Sequence, residues 1–191
     1  MAQVLDRKAQ IKTVAQNLFR TKGYSATSMR DLAKEVGLEP ASLYSHISSK
    51  EDILSEICFR LANQFLDANK EIPGLELSAI DKLKLAIENH ILIITANLDA
   101  SGVFLHDWKF LETSNLNKFK EMRDQYENIF LEILKQGKDE CSVQVDDIKL
   151  TLVYLLSSLN WIYDWYKEDG KYNPKQLAQK MINTIFEGIK S

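Results

Sequence analysis

The stretch TSMRDLAKEVGLEPASLYSHISSKEDIL, residues 27–54, carries most of the evidence for the fold of this chain. Its first part is typical of a short helix, because apolar residues recur every three or four positions: Met29, Leu32, Ala33 and Val36. Thr27 or Ser28 can cap this helix, and Gly37 ends it. Pro40 then fits the first turn of a third helix, PASLYSHI, where its missing N–H is not needed. Two short helices joined by a tight glycine turn predict a helix-turn-helix.

The residues on either side extend this motif to four helices. Upstream, apolar residues share one face of a helix that ends at Gly23: Ile11, Val14, Ala15, Leu18 and Phe19. Tyr24 is expected to pack into the same small core. Downstream, Ser48 or Ser49 can cap a fourth helix that begins near Lys50, with acidic residues in its first turn.

The third helix presents a surface that is suited to DNA. In a helix-turn-helix the second helix of the motif enters the major groove. Leu43 and Ile47 are spaced to face inward, which leaves six residues outside: Pro40, Ala41, Ser42, Tyr44, Ser45 and His46. Small side chains permit close approach to base edges, and hydroxyl and imidazole groups bind phosphates and bases alike. Helix pairs with a glycine turn also occur in domains that bind no DNA, and spacing alone does not separate the two interpretations.

The charge of the chain is unevenly distributed. The first fifty residues hold eight Lys and Arg against four Asp and Glu, a net charge of +4, so that residues 51–191 carry −7 of the chain's total of −3. A basic head on an acidic body indicates that the head alone meets a polyanion. A net charge of +4 over fifty residues is also ordinary for a protein surface, so charge alone does not decide between the two interpretations.

The order of the residues in this stretch points to one protein family more specifically than net charge or helical spacing does. Residues 27–54, preceded by AQNLFRTKGY (15–24), closely resemble the DNA-binding domain of TetR-family transcriptional regulators. The matching positions are Phe19, Gly23, Tyr24, Thr27, Leu32, Ala33, Val36, Gly37, Leu43, Tyr44, His46, Lys50, Glu51 and Leu54. Ile47 departs from the family pattern, in which Phe is usual, and should change only the packing. The resemblance implies a homodimer that binds a double-stranded DNA operator and carries a divergent C-terminal ligand domain.

The resemblance also implies which side chains meet DNA. Phosphate contacts are expected from residues on and beside the motif: Thr27, Ser28, Tyr44, His46 and Lys50. Arg30 is the one long cationic side chain that is placed to reach a base, most simply guanine. Apolar and hydroxyl contacts are expected from four residues of the third helix: Pro40, Ala41, Ser42 and Ser45.

The rest of the chain is typical of helices. Hydrophobic residues make up 45% of the 191 residues, whereas Gly and Pro number only seven and three, which favours long helices over many short strands. We expect an all-α fold of about nine helices, with a three-helix DNA-binding head at residues 1–50 and a helical ligand-binding and dimerisation domain at residues 51–191. Beyond the head, helices are predicted at about 50–69, 78–98, 103–111, 116–136, 146–167 and 173–188.

The last two predicted helices are unusually apolar. One holds nine large apolar residues between Leu150 and Trp165, and the other holds six between Leu177 and Ile189. Such helices can bury one face inside the subunit and another against a partner. In the TetR family the two final helices of each subunit form a dimeric four-helix bundle, so a homodimer through these helices is implied. The alternative is that both are core helices of a monomer.

The central helices place polar and aromatic residues within apolar runs, as small-molecule sites do. These residues are His90, Asn97, His106, Trp108, Tyr126, Asn160, Trp161 and Tyr163. The segment SSLNWIYDWYKEDGKYNPKQLA (157–178) is similar to one in a TetR branch, many of whose members respond to acyl-coenzyme A thioesters or govern lipid and steroid breakdown. That similarity implies a small hydrophobic effector such as an acyl-CoA. A flat, drug-like ligand is the competing class, and dimer packing is a competing explanation for the match.

Other classes of function lack support in the sequence. The three histidines and two cysteines show no metal-ligand spacing, and neither a Gly-rich phosphate loop nor a nucleophile elbow occurs. We therefore expect no catalytic residue, no metal and no cofactor. The apolar runs are shorter than the roughly 20 residues that span a bilayer, and the N-terminus lacks the features of a signal peptide. The prediction is a cytoplasmic repressor that is released by a ligand, and the alternative is a helix-turn-helix interaction protein with no small-molecule effector.

Overall fold

The chain is helical throughout the part that the structure describes. The computed structural model describes the backbone of residues 2–188 and the side chains of residues 7–188; Ile189 lies outside this range. Within it there is no β-strand, and the predicted all-α fold is confirmed. The helices are α1 (Ala2–Lys22), α2 (Met29–Val36), α3 (Pro40–Tyr44), α4 (Lys50–Asn69), α5 (Ala79–Thr95), α6 (Leu98–His106), α7 (Thr113–Asp139), α8 (Ile148–Asn160), α9 (Ile162–Trp165) and α10 (Pro174–Glu187). Two short 3-10 turns are Ile72–Gly74 and Trp108–Phe110.

Side-chain caps fix where α2 and α10 begin. The Ser28 hydroxyl accepts a hydrogen bond from the backbone N–H of Asp31 (3.1 Å), and the Asp31 carboxylate accepts one from the backbone N–H of Ser28 (2.9 Å). Both bonds satisfy amides that a helix start leaves unpaired. Asn173 and Gln176 form the same reciprocal pair at α10, where Pro174 is the first residue. Both starts agree with the sequence prediction.

The turn between α2 and α3 depends on Gly37. Its backbone has φ 73° and ψ 39°, the left-handed region that glycine adopts without steric cost. The N–H of Gly37 donates to the carbonyl of Lys34 (3.2 Å), and the N–H of Leu38 donates to that of Ala33 (2.8 Å). These bonds close the end of α2 and allow α3 to begin at Pro40.

Several predicted helix ends differ from the structure. α1 begins at Ala2, nine residues before Ile11, the first apolar residue of its predicted face. α3 ends at Tyr44, and the chain continues to Ile47 as a tightened turn in which the His46 N–H bonds the Leu43 carbonyl (3.0 Å). The Ile47 N–H bonds the same carbonyl (3.1 Å), so a helical turn continues past Tyr44 although α3 itself is shorter than the predicted PASLYSHI.

Beyond residue 50, the structure divides the chain into helices at other positions than the sequence predicted. α5 stops at Thr95, where the Asn97 side chain donates to the Ile93 carbonyl (2.9 Å) and so replaces the next backbone amide. α6 then starts at Leu98, earlier than the predicted 103, and a 3-10 turn follows it. The predicted helix 146–167 is interrupted at Trp161, which separates α8 from α9. With this division the described residues form ten α-helices, close to the nine or so that were expected.

One compact unit consists of the chain up to Leu61 together with Asp99–Lys120. In it α2 packs against α1 and α3. Val14 and Met29, which were also predicted on the apolar faces, are only partly buried. The other residues that were predicted to face inward are buried: Ile11, Ala15, Leu18, Phe19, Leu32, Ala33, Val36, Leu43 and Ile47. Burial of one face of each short helix holds the helix-turn-helix together, since helices of five and eight residues are not stable alone.

The second compact unit consists of Ala62–Leu98 and the chain from Glu121 onward. α5 is central in it and packs against α8, α9 and α10. Its side chains Ile87, Ile91 and Ile94 are fully buried. α4 and α7 each contribute residues to both units.

Candidate functional site

The outward face of α3 is exposed, as the spacing of its residues predicted. Leu43 is fully buried and Ile47 nearly so, and they anchor the helix to the unit. The other residues of this face are exposed, apart from a half-buried His46: Pro40, Ala41, Ser42, Tyr44 and Ser45. Tyr44 is 54% exposed although it is a large aromatic side chain. The face thus offers one aromatic hydroxyl among small side chains that leave room for a groove edge.

The start of α2 lies in the same unit and offers a second group of polar residues. Ser28 and Arg30 are both exposed. Thr27 is not: it is 2% exposed, and its hydroxyl donates to the Gly23 carbonyl (2.9 Å). The Thr27 hydroxyl is therefore not available for the expected phosphate contact in this structure, because it stabilises the turn before α2.

Lys50 also differs from the expectation of an open phosphate-binding cation. Its Nζ donates to the backbone carbonyls of Tyr24 (2.8 Å) and Thr27 (2.9 Å). The same atom lies 4.2 Å from the centroid of the Tyr24 ring. The ammonium is thus engaged within the protein.

Tyr24 is a buried residue at the centre of an aromatic cluster in this unit. Its ring stacks on Phe110 (centroids 5.6 Å apart) and meets Phe19 edge-on (5.1 Å). Burial, together with the negative charges of Glu51 and Asp107, raises the pKa of Tyr24 to about 12, so its hydroxyl stays protonated. Burial raises the pKa of Asp107 as well, and interactions with His106, Lys109 and the backbone at Tyr24 oppose that increase.

The segment from α6 into α7 is held to α1 and α4 by further polar contacts. Glu51 accepts hydrogen bonds from the Asn115 side chain (3.0 Å) and from the Glu112 backbone (3.3 Å). Arg20 and Asp99 form an ion pair. Sequence reasoning missed these contacts, since the partners are 61 to 79 residues apart in the chain and no local pattern joins them.

In the second unit, His90 and Tyr126 form a buried polar pair inside an aromatic cluster. His90 Nδ1 and the Tyr126 hydroxyl are hydrogen-bonded at 2.9 Å. The Phe65 ring lies 4.8 Å from the His90 ring and 5.3 Å from that of Tyr126, and Phe130 packs edge-on against Tyr126 at 5.3 Å. Four side chains from α4, α5 and α7 thus form one cluster.

The second nitrogen of His90 is unsatisfied. His90 Nε2 is buried and has no partner with hydrogen-bond geometry. Burial lowers the pKa of His90 to about 3, and the Asn160 side chain, which interacts with the ring, offsets only part of the decrease. The imidazole is therefore neutral near pH 7, and Nε2 is a polar atom that can pair with a ligand group. His90, Tyr126 and Asn160 are thus three of the predicted ligand residues that the structure brings together.

The other predicted ligand residues lie elsewhere. Asn97 caps α5, and its side chain also donates to Gln64 (3.3 Å). Tyr163 is buried in α9, and Trp161 before it is 57% exposed. His106 and Trp108 belong to the unit that contains the helix-turn-helix, where Trp108 stacks on Phe119 (5.9 Å).

One face of α8 and α9 exposes large apolar side chains. They recur at helical spacing from Leu150 to Trp165: Leu150, Val153, Tyr154, Trp161 and Trp165. Tyr154 is 74% exposed and Leu150 is 66% exposed. Several large apolar side chains exposed in one segment are typical of an interaction site.

Metal-binding and membrane-spanning features are absent from the described part of the chain. No cluster of three or more His, Cys, Asp and Glu side chains with metal-binding geometry occurs there. Among the same residues, every helix is too short or too polar to cross a bilayer. Cys58 is buried and Cys141 exposed, and both are free.

Two known families match this chain. Residues 11–57 match the family described as bacterial regulatory proteins, tetR family, and residues 76–189 match that described as tetracyclin repressor-like, C-terminal domain. The HTH-type transcriptional repressor KstR2 of Rhodococcus jostii (strain RHA1) is 23% identical to this chain over 97% of its residues and 92% of KstR2.

Solved structures resemble the whole chain. PfmR, a TetR family transcriptional regulator from Thermus thermophilus, has a TM-score of 0.81 at 30% identity, over 95% of this chain and 99% of PfmR. AibR, solved in complex with isovaleryl coenzyme A and operator DNA, has a TM-score of 0.79 at 24% identity, over 94% of this chain and 98% of AibR.

Proposed function

Since this chain belongs to the TetR family of DNA-binding transcriptional regulators, we propose that it is a homodimeric repressor that leaves a palindromic operator when a small hydrophobic effector binds. The observation that carries the proposal is the exposed outer face of α3 on a helix-turn-helix whose other face is buried. The recognition helix of such a motif reads the major groove, and family members of this type act on transcription rather than as enzymes. The cell compartment we propose is the cytoplasm, where the operator is.

We assign the DNA contacts to the accessible residues of the motif. Tyr44 is placed to bind a phosphate, with half-buried His46 beside it, and Arg30 is placed to reach a base edge. Ser28 is exposed, but its hydroxyl donates to the Asp31 carboxylate (2.5 Å), so we assign it no phosphate contact. Four small residues of α3 and its end line the surface that faces the groove: Pro40, Ala41, Ser42 and Ser45.

Two variants test this assignment by fluorescence anisotropy with an operator duplex selected from random sequence. Tyr44→Phe removes only the hydroxyl and should weaken binding to all duplexes by a similar factor, since a phosphate contact carries no sequence information. Arg30→Ala should also lower the preference for the operator over a scrambled duplex, because a base contact contributes about 1–3 kcal/mol of discrimination. Wild-type affinity in both variants would contradict the assignment.

We propose that the exposed apolar face of α8 and α9 binds the same face of a second copy, with α10 completing a four-helix interface. A two-fold interface is self-complementary, so a charge placed at its centre is introduced twice. Tyr154→Glu should therefore convert the dimer to a monomer in size-exclusion chromatography with light scattering. Leu77→Glu is the matched control, because Leu77 is also an exposed apolar residue (44%) but lies before α5, off this face. A wild-type monomer at micromolar concentration would overturn the dimer.

For the effector we propose an acyl-CoA or a related acyl thioester. The likeness to AibR, whose structure contains isovaleryl coenzyme A, supports this class. So does the cluster of His90, Tyr126 and Asn160, which places polar groups within an apolar surrounding where a thioester carbonyl could be bound. A flat, drug-like ligand is the competing proposal.

A thermal-shift panel distinguishes these effectors from a protein that has none. A ligand present at about 100 times its Kd stabilises the folded state by about 2.7 kcal/mol. We expect acyl-CoAs of some chain length to raise the melting temperature, and coenzyme A alone to raise it less. A panel of acyl-CoAs and planar drugs that leaves the melting temperature unchanged would favour the helix-turn-helix interaction protein without an effector.

The mechanism we propose is a shift between two states of the dimer. In one state the two copies of α3 match successive major-groove faces, about 34–36 Å apart or a multiple of this distance. The effector binds the other state more tightly, and the coupling is reciprocal, so the operator must weaken effector binding by the same factor. α4 begins beside the helix-turn-helix and contributes residues to both compact units, which makes it the proposed connection.

A further inference from the structure

Lys50, the first residue of α4, directs two donors of its ammonium group into the protein. They bind the Tyr24 and Thr27 carbonyls, at 2.8 and 2.9 Å. The same atom lies over the Tyr24 ring, with the ring centroid 4.2 Å from Nζ. A lysine ammonium has three donors. In this arrangement two of the three are used within the protein.

The two carbonyls that Lys50 binds belong to the turn between α1 and α2. The Tyr24 carbonyl also accepts the backbone N–H of Thr27 (3.2 Å), so the same atom closes the turn and receives the lysine. Lys50 follows Thr27 by 23 residues in the chain, and α2, Gly37 and α3 all lie between them. The ammonium thus joins the two ends of the segment that forms the helix-turn-helix.

The surroundings of the ammonium support a role within the fold. Burial lowers the pKa of Lys50, and the nearby Asp107 carboxylate opposes the decrease. The same carboxylate also interacts with the backbone at Tyr24. Two charged side chains of opposite sign therefore lie beside Tyr24, and the lysine binds its carbonyl.

We propose that Lys50 is a positioning residue for operator binding: it holds α2 and α3 in their binding geometry by tying the start of α4 to the turn before α2, and it does not bind phosphate. The inference rests on the proposed DNA binding. It replaces the phosphate contact that the sequence predicted for Lys50 and explains why a lysine with few exposed donors begins α4.

The salt dependence of operator affinity separates the two roles. Each phosphate contact adds about 0.9 to the slope of log Kd against log salt, so a phosphate-binding lysine in both subunits contributes about 1.8. Lys50→Met should weaken operator binding about tenfold, because the motif is no longer preorganised, and should leave the slope within about 0.5 of its wild-type value. Lys34→Met is the matched control, since it removes one charge from an exposed side chain of α2.

Lys50→Arg tests whether the bridge itself restores function. A guanidinium also donates to two oxygens at once, so Lys50→Arg should recover most of the lost affinity at an unchanged slope. A fall in slope of about 1.8 in Lys50→Met beyond that of Lys34→Met would overturn the proposal. So would wild-type affinity in Lys50→Met.

Nuclear magnetic resonance of the unmodified protein decides the matter if Lys50→Met does not fold. We expect a lysine ammonium signal, assigned to Lys50, that exchanges slowly with water in the DNA-free protein and does not move when operator is added. A signal that appears only with DNA, or that couples to phosphorus, would overturn the proposal. If the wild-type protein binds no operator at any salt concentration, the proposed function fails, while this signal still shows whether the bridge exists.

Discussion

His90 should make the stability of this protein depend on pH between about 7.0 and 5.5. Burial lowers the pKa of this imidazole to about 3, whereas an exposed histidine in the unfolded chain has a pKa of about 6.5. The unfolded state therefore binds a proton that the folded state does not bind. The free energy of unfolding is highest above the unfolded pKa and decreases as the pH falls below it. Over this range the loss from His90 is about 1.3 kcal/mol.

The assay is thermal unfolding by circular dichroism at fixed protein concentration, so that dimerisation does not alter the comparison. For a chain of this length, about 1.3 kcal/mol corresponds to a fall of about 3–4 °C in melting temperature. His90→Asn removes the titrating ring but keeps a polar atom near Nδ1. This variant should melt lower than wild type at pH 7.0 and should lose most of the dependence on pH. His106→Asn, which changes an exposed histidine, is the matched control.

The comparison of the two variants can refute the reasoning. If His90→Asn and wild type lose the same number of degrees between about pH 7.0 and 5.5, the imidazole is not held neutral by burial. The stated range stays above the pKa of ordinary carboxylates, so that their protonation does not hide the result.

Two glycines give further predictions. Gly137→Ala should destabilise the protein by about 1–3 kcal/mol in urea unfolding, because a Cβ there would lie 2.6 Å from Val143 Cγ2. Gly74→Ala is the control and should be nearly neutral, since its Cβ would meet nothing within 4 Å. Equal losses of stability in the two variants would contradict the packing argument. Gly37→Ala should cost about 1 kcal/mol through its φ of 73° and weaken operator binding more than Gly74→Ala does, which the same unfolding and anisotropy assays measure.

The parts of the fold that depend on neighbours in sequence could be predicted. Ser28 and Asn173 are helix caps, and Gly37 needs a left-handed backbone, so each acts within a few residues of its own position. Leu43 and Ile47 are buried because their spacing places them on one face of α3. The interruption at Trp161 could not be predicted, because the apolar run around it continues on both sides without a glycine or proline.

The sites were predictable only in part, for the same reason. The exposed face of α3 follows from helical spacing, but the engagement of Lys50 with the turn before α2 depends on how three helices fold back on one another. The contacts of Asp107 and Phe110 with Tyr24 join residues that are distant in the chain, so no local pattern reveals them. Trp161 lies in an apolar run that is buried on one face and exposed on the other, so sequence reasoning assigned it to the effector, whereas the structure exposes it.

In the proposed mechanism this protein binds an operator and releases it when an effector binds. The most direct test is an anisotropy titration of the selected operator with wild-type protein, with and without saturating acyl-CoAs of several chain lengths, and with coenzyme A as the control. A coupling free energy of about 1–3 kcal/mol predicts a rise in operator Kd of about 5- to 150-fold for at least one acyl-CoA. An operator Kd that no acyl-CoA or planar hydrophobic ligand changes would contradict the account of a ligand-released repressor.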